Sequence, residues 1–230
     1  MTQPTNPVVA AIVPMRHSSE RVKGKNYRDF ADKPLYHCVV ESLLKCDSIN
    51  KVVIDTDSPF ILEDAAKHFP SVILLERPEH LRDGAIPMND VLLNTLNQVE
   101  ADFYLQTHST NPVLSADTIS RGVEFFLNNY PVYDCLFTVS RLQVRLWDQL
   151  ARAINHNPNI LLRTQDLPPV YEENSCMYIF TKEILMQRHN RIGSRPYLLE
   201  IPAEEAKDID EEIDFRIAEF LYKEKYGPKG

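Results

Sequence analysis

Glycine is scarce in this chain, six among 230 residues, and none lies in a Gly-x-Gly-x-x-Gly or Gly-x-x-x-x-Gly-Lys run. That absence excludes a Walker phosphate loop and a dinucleotide fingerprint, both of which need glycine where the backbone closes on phosphate. The four cysteines, Cys38, Cys46, Cys135 and Cys176, are widely spaced with no Cys-x-x-Cys pair. A zinc-ligand spacing is thereby excluded, and buried reduced thiols are expected. No apolar run approaches the ~18 residues of a membrane helix, and the opening MTQPTNP lacks the charged and apolar regions of a signal peptide. A soluble, cytoplasmic protein with no membrane partner is expected. Basic residues are outnumbered, 25 Lys and Arg against 33 Asp and Glu, for a net charge of -8. This argues against nucleic-acid binding, and an anionic ligand would have to be drawn by a local basic pocket.

Such a pocket is legible in VVAAIVPMRHSSERVKGKN. An apolar strand opens into a loop carrying Arg16, Arg21, Lys23, Lys25 and Asn26, with Ser18 and Ser19 between them. At the carboxyl edge of a sheet, these cations would offset polyphosphate charge and the hydroxyls and backbone N–H groups would complete a cradle. The competing reading is a solvated basic turn. Further along, apolar runs alternate with helical patterns: strands at 8–14, 51–55, 72–75, 101–106, 133–140, 175–180 and 197–201; helices at 35–44, 58–69, 89–99, 115–129, 181–189 and 209–222. Ser58 with Pro59 marks one helix start. The alternation predicts an α/β fold, a three-layer, Rossmann-like and mainly parallel sheet with helices on both faces. The length fits a single domain over 1–230. The rhythm loosens over about 141–170, where an inserted hairpin or arm is expected.

Three more segments carry chemistry. In IDTDS, Asp57 either shapes a ligand site at a strand end or serves as part of a helix N-cap region. Asp55 and Asp57 also resemble the metal pair of nucleotide-sugar glycosyltransferases. In LQTHSTNPV, Gln106 to Asn111 form a dense hydrogen-bonding run suited to a polyhydroxylated substrate, or else a polar turn. In KDIDEEIDF, Asp208 and Asp210 alternate around Ile209, so an extended segment turns both carboxylates to one side. Such a pair favours a hard cation, Mg²⁺, which serves phosphoryl transfer. The alternative is an acidic helix start.

In this order the segments resemble the acylneuraminate cytidylyltransferase family, the CMP-N-acylneuraminate and CMP-3-deoxy-octulosonate synthetases. The resemblance covers nearly the whole chain. It implies CMP transfer from CTP to the anomeric hydroxyl of an acidic 2-keto-3-deoxy sugar (a nonulosonic or octulosonic acid), with release of pyrophosphate. VPMRHSSERVKGKN places Arg16, Lys25 and Asn26 on the triphosphate-contacting positions, and ERPEHL nominates Arg77 for the nucleotide, with main-chain groups near Ala85. LQTHSTNP nominates Gln106 and His108 for the sugar, and YEENSCMYIF nominates Asn174. DIDEEIDF nominates Asp208 and Asp210 for Mg²⁺. Arg16, Lys25 and Asp210 are expected to carry catalysis. Arg163 in the arm, from this chain or from a partner subunit, is the candidate cation for the sugar's carboxylate. The resemblance also implies a homodimer built through the arm, which on sequence alone could equally be a mobile lid. Departures from the family pattern stand at His17-Ser18, Glu20-Arg21, Pro87 and His108-Ser109, the last of these in the block that would line the sugar. Three rivals stand beside this reading: transfer to a sugar 1-phosphate, a glycosyltransferase using Asp55 and Asp57, and a non-catalytic nucleotide-binding regulator.

Overall fold

The computed structural model describes residues 6–227; the first five residues of the stretch read for a leader and the last three residues of the chain lie outside them. The buried apolar run after Val8 forms β1 (Val9–Met15), an interior strand, all seven of its residues buried. It is flanked by β4 (Lys51–Thr56) and β6 (Phe103–Thr107), with β5 (Ile73–Glu76) beyond β4. On the other side of β6 come β8 (Val170–Phe180), β7 (Cys135–Leu142) and β9 (Pro196–Glu200), completing the order β5-β4-β1-β6-β8-β7-β9. Only β8 runs antiparallel to its neighbours. A two-residue pair, β2 (Asp29–Phe30) and β3 (Lys33–Pro34), stands apart as a small hairpin.

Strand alternation explains why helices cover both faces. Val9, Ala11, Val13 and Met15 point into one core with residues of α1 (Leu35–Leu44), α2 (Pro59–His68) and α4 (Ala116–Asn129). Ala10 and Ile12 point into the other, against α3 (Met88–Leu96) and α5 (Lys182–Arg188). A strand buried on both sides loses the polar alternation of a half-exposed one. The three-layer, mainly parallel architecture is as expected.

Local signals also behave as read. Ser58 caps α2 by accepting from Ile61 N at 3.3 Å, with Pro59 in the first turn. Cys38, Cys46, Cys135 and Cys176 are all free and buried. The last helix, α6 (Glu212–Tyr226), starts later than expected and leaves Asp208 to Glu211 outside it, with Glu211 extended. The arm has a β base: Arg141 pairs with Tyr171 and Leu142 with Val170. Between these strands the chain makes an isolated Trp147–Ala153 bridge and a short 3-10 turn at Thr164–Asp166.

Candidate active site

The connection from β1 through β4 to β5 travels one way along the sheet, and β6 lies on the opposite side of β1. Such a reversal opens a crevice at the carboxyl ends of the strands, where open α/β sheets bind ligands. A cleft of about 410 Å³ lies there, lined among others by Arg16, Lys25, Asn26, His108, Asp208 and Asp210. A larger depression of about 640 Å³ sits at the amino edge, lined by Glu100, Asp102, Lys182 and Glu183 among others, far from the cationic loop.

Two loops far apart in sequence converge because each drives an apolar peg into one small core. Val22 from the basic loop and Ile209 from the acidic segment are fully buried there, with Phe30, Leu35 and Phe215. Burial of each peg contributes about 1.5–3 kcal/mol. With Ile209 turned inward, Asp208 and Asp210 are left at the cleft. Bonds to backbone carbonyls fix the arrangement: Ile209 N donates to Thr110 O at 3.1 Å, and the Lys25 side chain donates through Nζ to Ile209 O. Gly24 allows the turn before Lys25. Its φ is +63°, and a Cβ there would stand 2.9 Å from the Tyr27 ring.

The electrostatics are those of opposed charges in a partly dry crevice. Burial pushes the Lys25 ammonium down from its ordinary value, while Asp208 and Asp210 pull it back up. Burial raises the Asp208 carboxyl, and the neighbouring Asp210 raises it further, against a hydrogen bond from Thr110 and the charge of Lys25. Arg21 reaches Asp210 Oδ1 at 2.6 Å; both side chains are at least half exposed, so solvent screens the pair. The Arg16 guanidinium packs on Gly84, where any Cβ would clash with it.

Other expected residues occupy different stations. Asn26 is a brace: its amide donates to Arg16 O and accepts from Ser109 Oγ, both at 2.7 Å, tying the basic loop to the segment after β6. Arg77 lines the cleft yet is 1% exposed and locked to Asp55, Nε to Oδ1 at 2.6 Å, while Thr95 donates to Asp55 Oδ2 at 2.8 Å. Asp57 accepts from His17 N at 2.7 Å and so anchors the loop. This overturns Asp55 and Asp57 as a metal pair, since Asp55 is fully buried in an ion pair. Ala85 N–H donates to Asp83 Oδ1 at 2.8 Å, and its neighbour Gly84 lines the cleft. Lys23 is exposed and not among the lining residues. Asn174 does not reach the lining either: it accepts from Thr138 Oγ1 at 2.7 Å and donates to Ser140 Oγ at 3.1 Å, bracing β7 to β8. Arg163 is turned to solvent and paired with Asp166 at 2.7 Å.

Gln106 lies just beneath the lining and His108 within it. Gln106 Nε2 donates to His108 Nε2 at 3.0 Å, and Gln106 Oε1 accepts from Arg191 Nη1. Arg191 was missed from sequence because NRIGSRPY reads as an ordinary connector; a lone cation in a loop carries no pattern. Burial, with Arg191 and then Lys25 adjacent, pushes the His108 imidazole down to about 4. Elsewhere, among the described residues, His37, Asp64 and His68 form a cluster with ligand atoms close enough to hold a metal. Two imidazoles and one carboxylate suit a transition ion better than Mg²⁺, and none of the three lines the cleft.

A cationic loop gathered with an acidic pair in one cleft, at the switch point of a mainly parallel sheet, suits a nucleotidyltransferase, which must hold a triphosphate and a metal together. The family model described as Cytidylyltransferase matches residues 10–226. The chain belongs to that family and is a CTP-dependent nucleotidyltransferase. It is 25% identical over 225 residues to the pseudaminic acid cytidylyltransferase of Campylobacter jejuni, covering 92% of this chain and 95% of that one. It is 27% identical over 227 residues to the CMP-N,N'-diacetyllegionaminic acid synthase of Legionella pneumophila, covering 93% and 95%. Its fold matches a CMP:2-keto-3-deoxy-manno-octonic acid synthetase solved with CTP, at a TM-score of 0.70 and 14% identity, over 95% of this chain and 99% of that one.

Proposed function

We propose that this protein joins CMP from CTP to the anomeric hydroxyl of an acidic 2-keto-3-deoxy sugar. The sugar oxygen forms a bond to the α-phosphorus, the bond from that phosphorus to the bridging oxygen breaks, and pyrophosphate leaves. The hydroxyl proton passes to solvent or to a cleft carboxylate. The observation that supports the reading is that Lys25 and Asp210 line one cleft, brought together where Lys25 Nζ donates to Ile209 O. The names of relatives that span nearly the same length support the choice of acceptor.

Arg16 and Lys25 would hold the β- and γ-phosphates, and Gly84 lets the Arg16 guanidinium lie close to the backbone. Asn26 keeps the loop seated against Ser109, so the cradle is set before substrate arrives. Arg77, clamped by Asp55, would present a fixed wall to the nucleoside. Asp208 and Asp210 fit a hard divalent cation, because two carboxylates in one cleft, one of them raised by burial, are relieved by a third charge. Bound there, Mg²⁺ would withdraw charge from the α-phosphate and acidify the attacking hydroxyl. Gln106 and His108 would meet the sugar, His108 in its neutral form. The apolar arm is the natural contact for a second copy of the chain, and the cytoplasm is where CTP is available.

The test is pyrophosphate release from each of the four nucleoside triphosphates, with Mg²⁺ and a panel of nonulosonic and octulosonic acids. Turnover should require CTP and one of the acids. Asp210→Asn should lower kcat by roughly 100-fold or more with an unchanged circular dichroism spectrum. Near-normal turnover of this variant in Mg²⁺ would remove Asp210 from the mechanism, and release independent of any acid would end the reading.

A further inference from the structure

In a 2-keto acid sugar the carboxylate is bonded to the same carbon as the anomeric hydroxyl. Whatever group holds the carboxylate therefore also aims the nucleophile. Such a group should be a cation, set beside the sugar end of the cleft, with donors left unpaired by the protein itself.

Arg191 is a cation set behind the cleft lining, joined to it through Gln106 and His108, with a donor the protein leaves unpaired. It follows α5 in a connection pinned at two points: Asn89 Nδ2 donates to His189 O at 2.7 Å, and Ile192 N donates to Asn190 Oδ1 at 3.1 Å. Its guanidinium lies 4.1 Å from the centroid of the Tyr178 ring, and Nη1 donates to Gln106 Oε1. Its Nε is buried with no hydrogen-bond partner. Among the described residues no carboxylate lies within ion-pair distance of it, whereas Arg77, Arg21 and Arg163 are paired with Asp55, Asp210 and Asp166. The nearest carboxylate influence is Glu173, which is engaged by the Tyr178 hydroxyl. A desolvated guanidinium with an orphaned donor is costly unless an anion arrives.

The same residue orients the neighbouring amide. Arg191 offers only donors, so the Gln106 oxygen must face it and the Gln106 N–H must face His108. His108 Nε2 then accepts, which leaves the proton on Nδ1. The chain Arg191–Gln106–His108 therefore runs from the unpaired cation to the wall of the cleft.

We infer that Arg191 is the substrate-binding cation that receives the carboxylate of the acidic sugar, and that it thereby sets acceptor specificity. This rests on the proposed acceptor class. The experiment measures kcat/KM for whichever of N-acetylneuraminic, pseudaminic, N,N'-diacetyllegionaminic and 3-deoxy-manno-octulosonic acids turns over, and for the carboxamide of that acid. Wild type, Arg191→Lys and Arg191→Gln are compared. The wild type should prefer acid to carboxamide by roughly 100-fold, and Arg191→Gln should abolish most of that preference by raising the KM of the acid, with the KM of CTP little changed. Arg191→Lys should recover part of it. A purely structural loss would lower both substrates together and leave their ratio intact, so an unchanged ratio in Arg191→Gln overturns the assignment. If the wild type turns over no acid, the acceptor class itself fails, and that is seen before any variant is compared.

Discussion

At the scale of single residues, the loop after β1 and the segment after β6 divide the work of one cleft. Lys25 is the residue proposed for the outer phosphates, and on that proposal Lys25→Ala should weaken CTP by roughly 10- to 100-fold and CMP by much less. Calorimetric titration of both nucleotides checks this, and equal losses would remove Lys25 from the triphosphate. His108 makes a different prediction, from its lowered pKa. The folded imidazole takes a proton only near pH 4, whereas the unfolded chain takes it near the ordinary value of 6.5. Between those values the unfolded state binds more protons, so stability rises with pH through that window and is lost as pH falls. Urea unfolding at pH 6.5 and pH 4 should show His108→Gln losing about 1 to 3 kcal/mol less than wild type over that interval. Equal losses would mean that His108 is not held neutral. Sequence exposed these residues unevenly. Lys25 and Asp210 stood in dense local patterns, whereas Arg191 gains meaning only from Gln106 and Tyr178, which lie 85 and 13 positions away in the chain.

At the scale of elements, the start of α6 shows how a helix end can hold an acidic segment in place. Asp214 Oδ2 accepts from Glu211 N at 2.9 Å and from Asp210 N at 3.2 Å, and Asp214 Oδ1 accepts from Lys207 Nζ at 2.6 Å. One side chain thus ties both ends of the acidic segment to the first turn of the helix. Asp214→Ala should cost about 1 kcal/mol of stability, as loss of a helix-terminal acceptor does. It should also raise the Mg²⁺ concentration needed for half-maximal activity, measured by metal titration of pyrophosphate release. A stability loss with an unchanged Mg²⁺ requirement would show that the cap does not position the carboxylates. The bounds of α1 were legible to the residue, because apolar spacing after Pro34 is local information. The direction of β8 was not, since an apolar run carries no sign of parallel or antiparallel pairing. The expected strand over 175–180 also missed its first half. Tyr171, Glu172 and Glu173 are exposed and polar, and they join β8 only because β7 extends alongside them.

At the scale of the whole molecule, the surface is not evenly polar. The arm that rises from β7 and β8 exposes Val144, Trp147, Leu150, Ile154, Ile160, Leu161 and Leu162, with Leu161 91% exposed. Scattered apolar residues are ordinary on a surface, but a concentration on one projection marks a contact site. Several internal hydrogen bonds keep the arm in one shape, including Leu146 N to Asn155 Oδ1 at 2.8 Å and Arg145 to Leu162 O. A shaped apolar projection with no cover from its own chain fits a second copy better than it fits a lid, which would need a polar outer face when open. Sedimentation at micromolar concentration should therefore give about twice the chain mass of 26.6 kDa. The double substitution Ile154→Glu and Leu161→Glu should shift it to the single-chain mass while leaving the melting temperature of the separated chain within a few degrees. If the wild type sediments as a single chain and the substitutions alter kcat instead, the arm closes over its own cleft and the dimer is refuted.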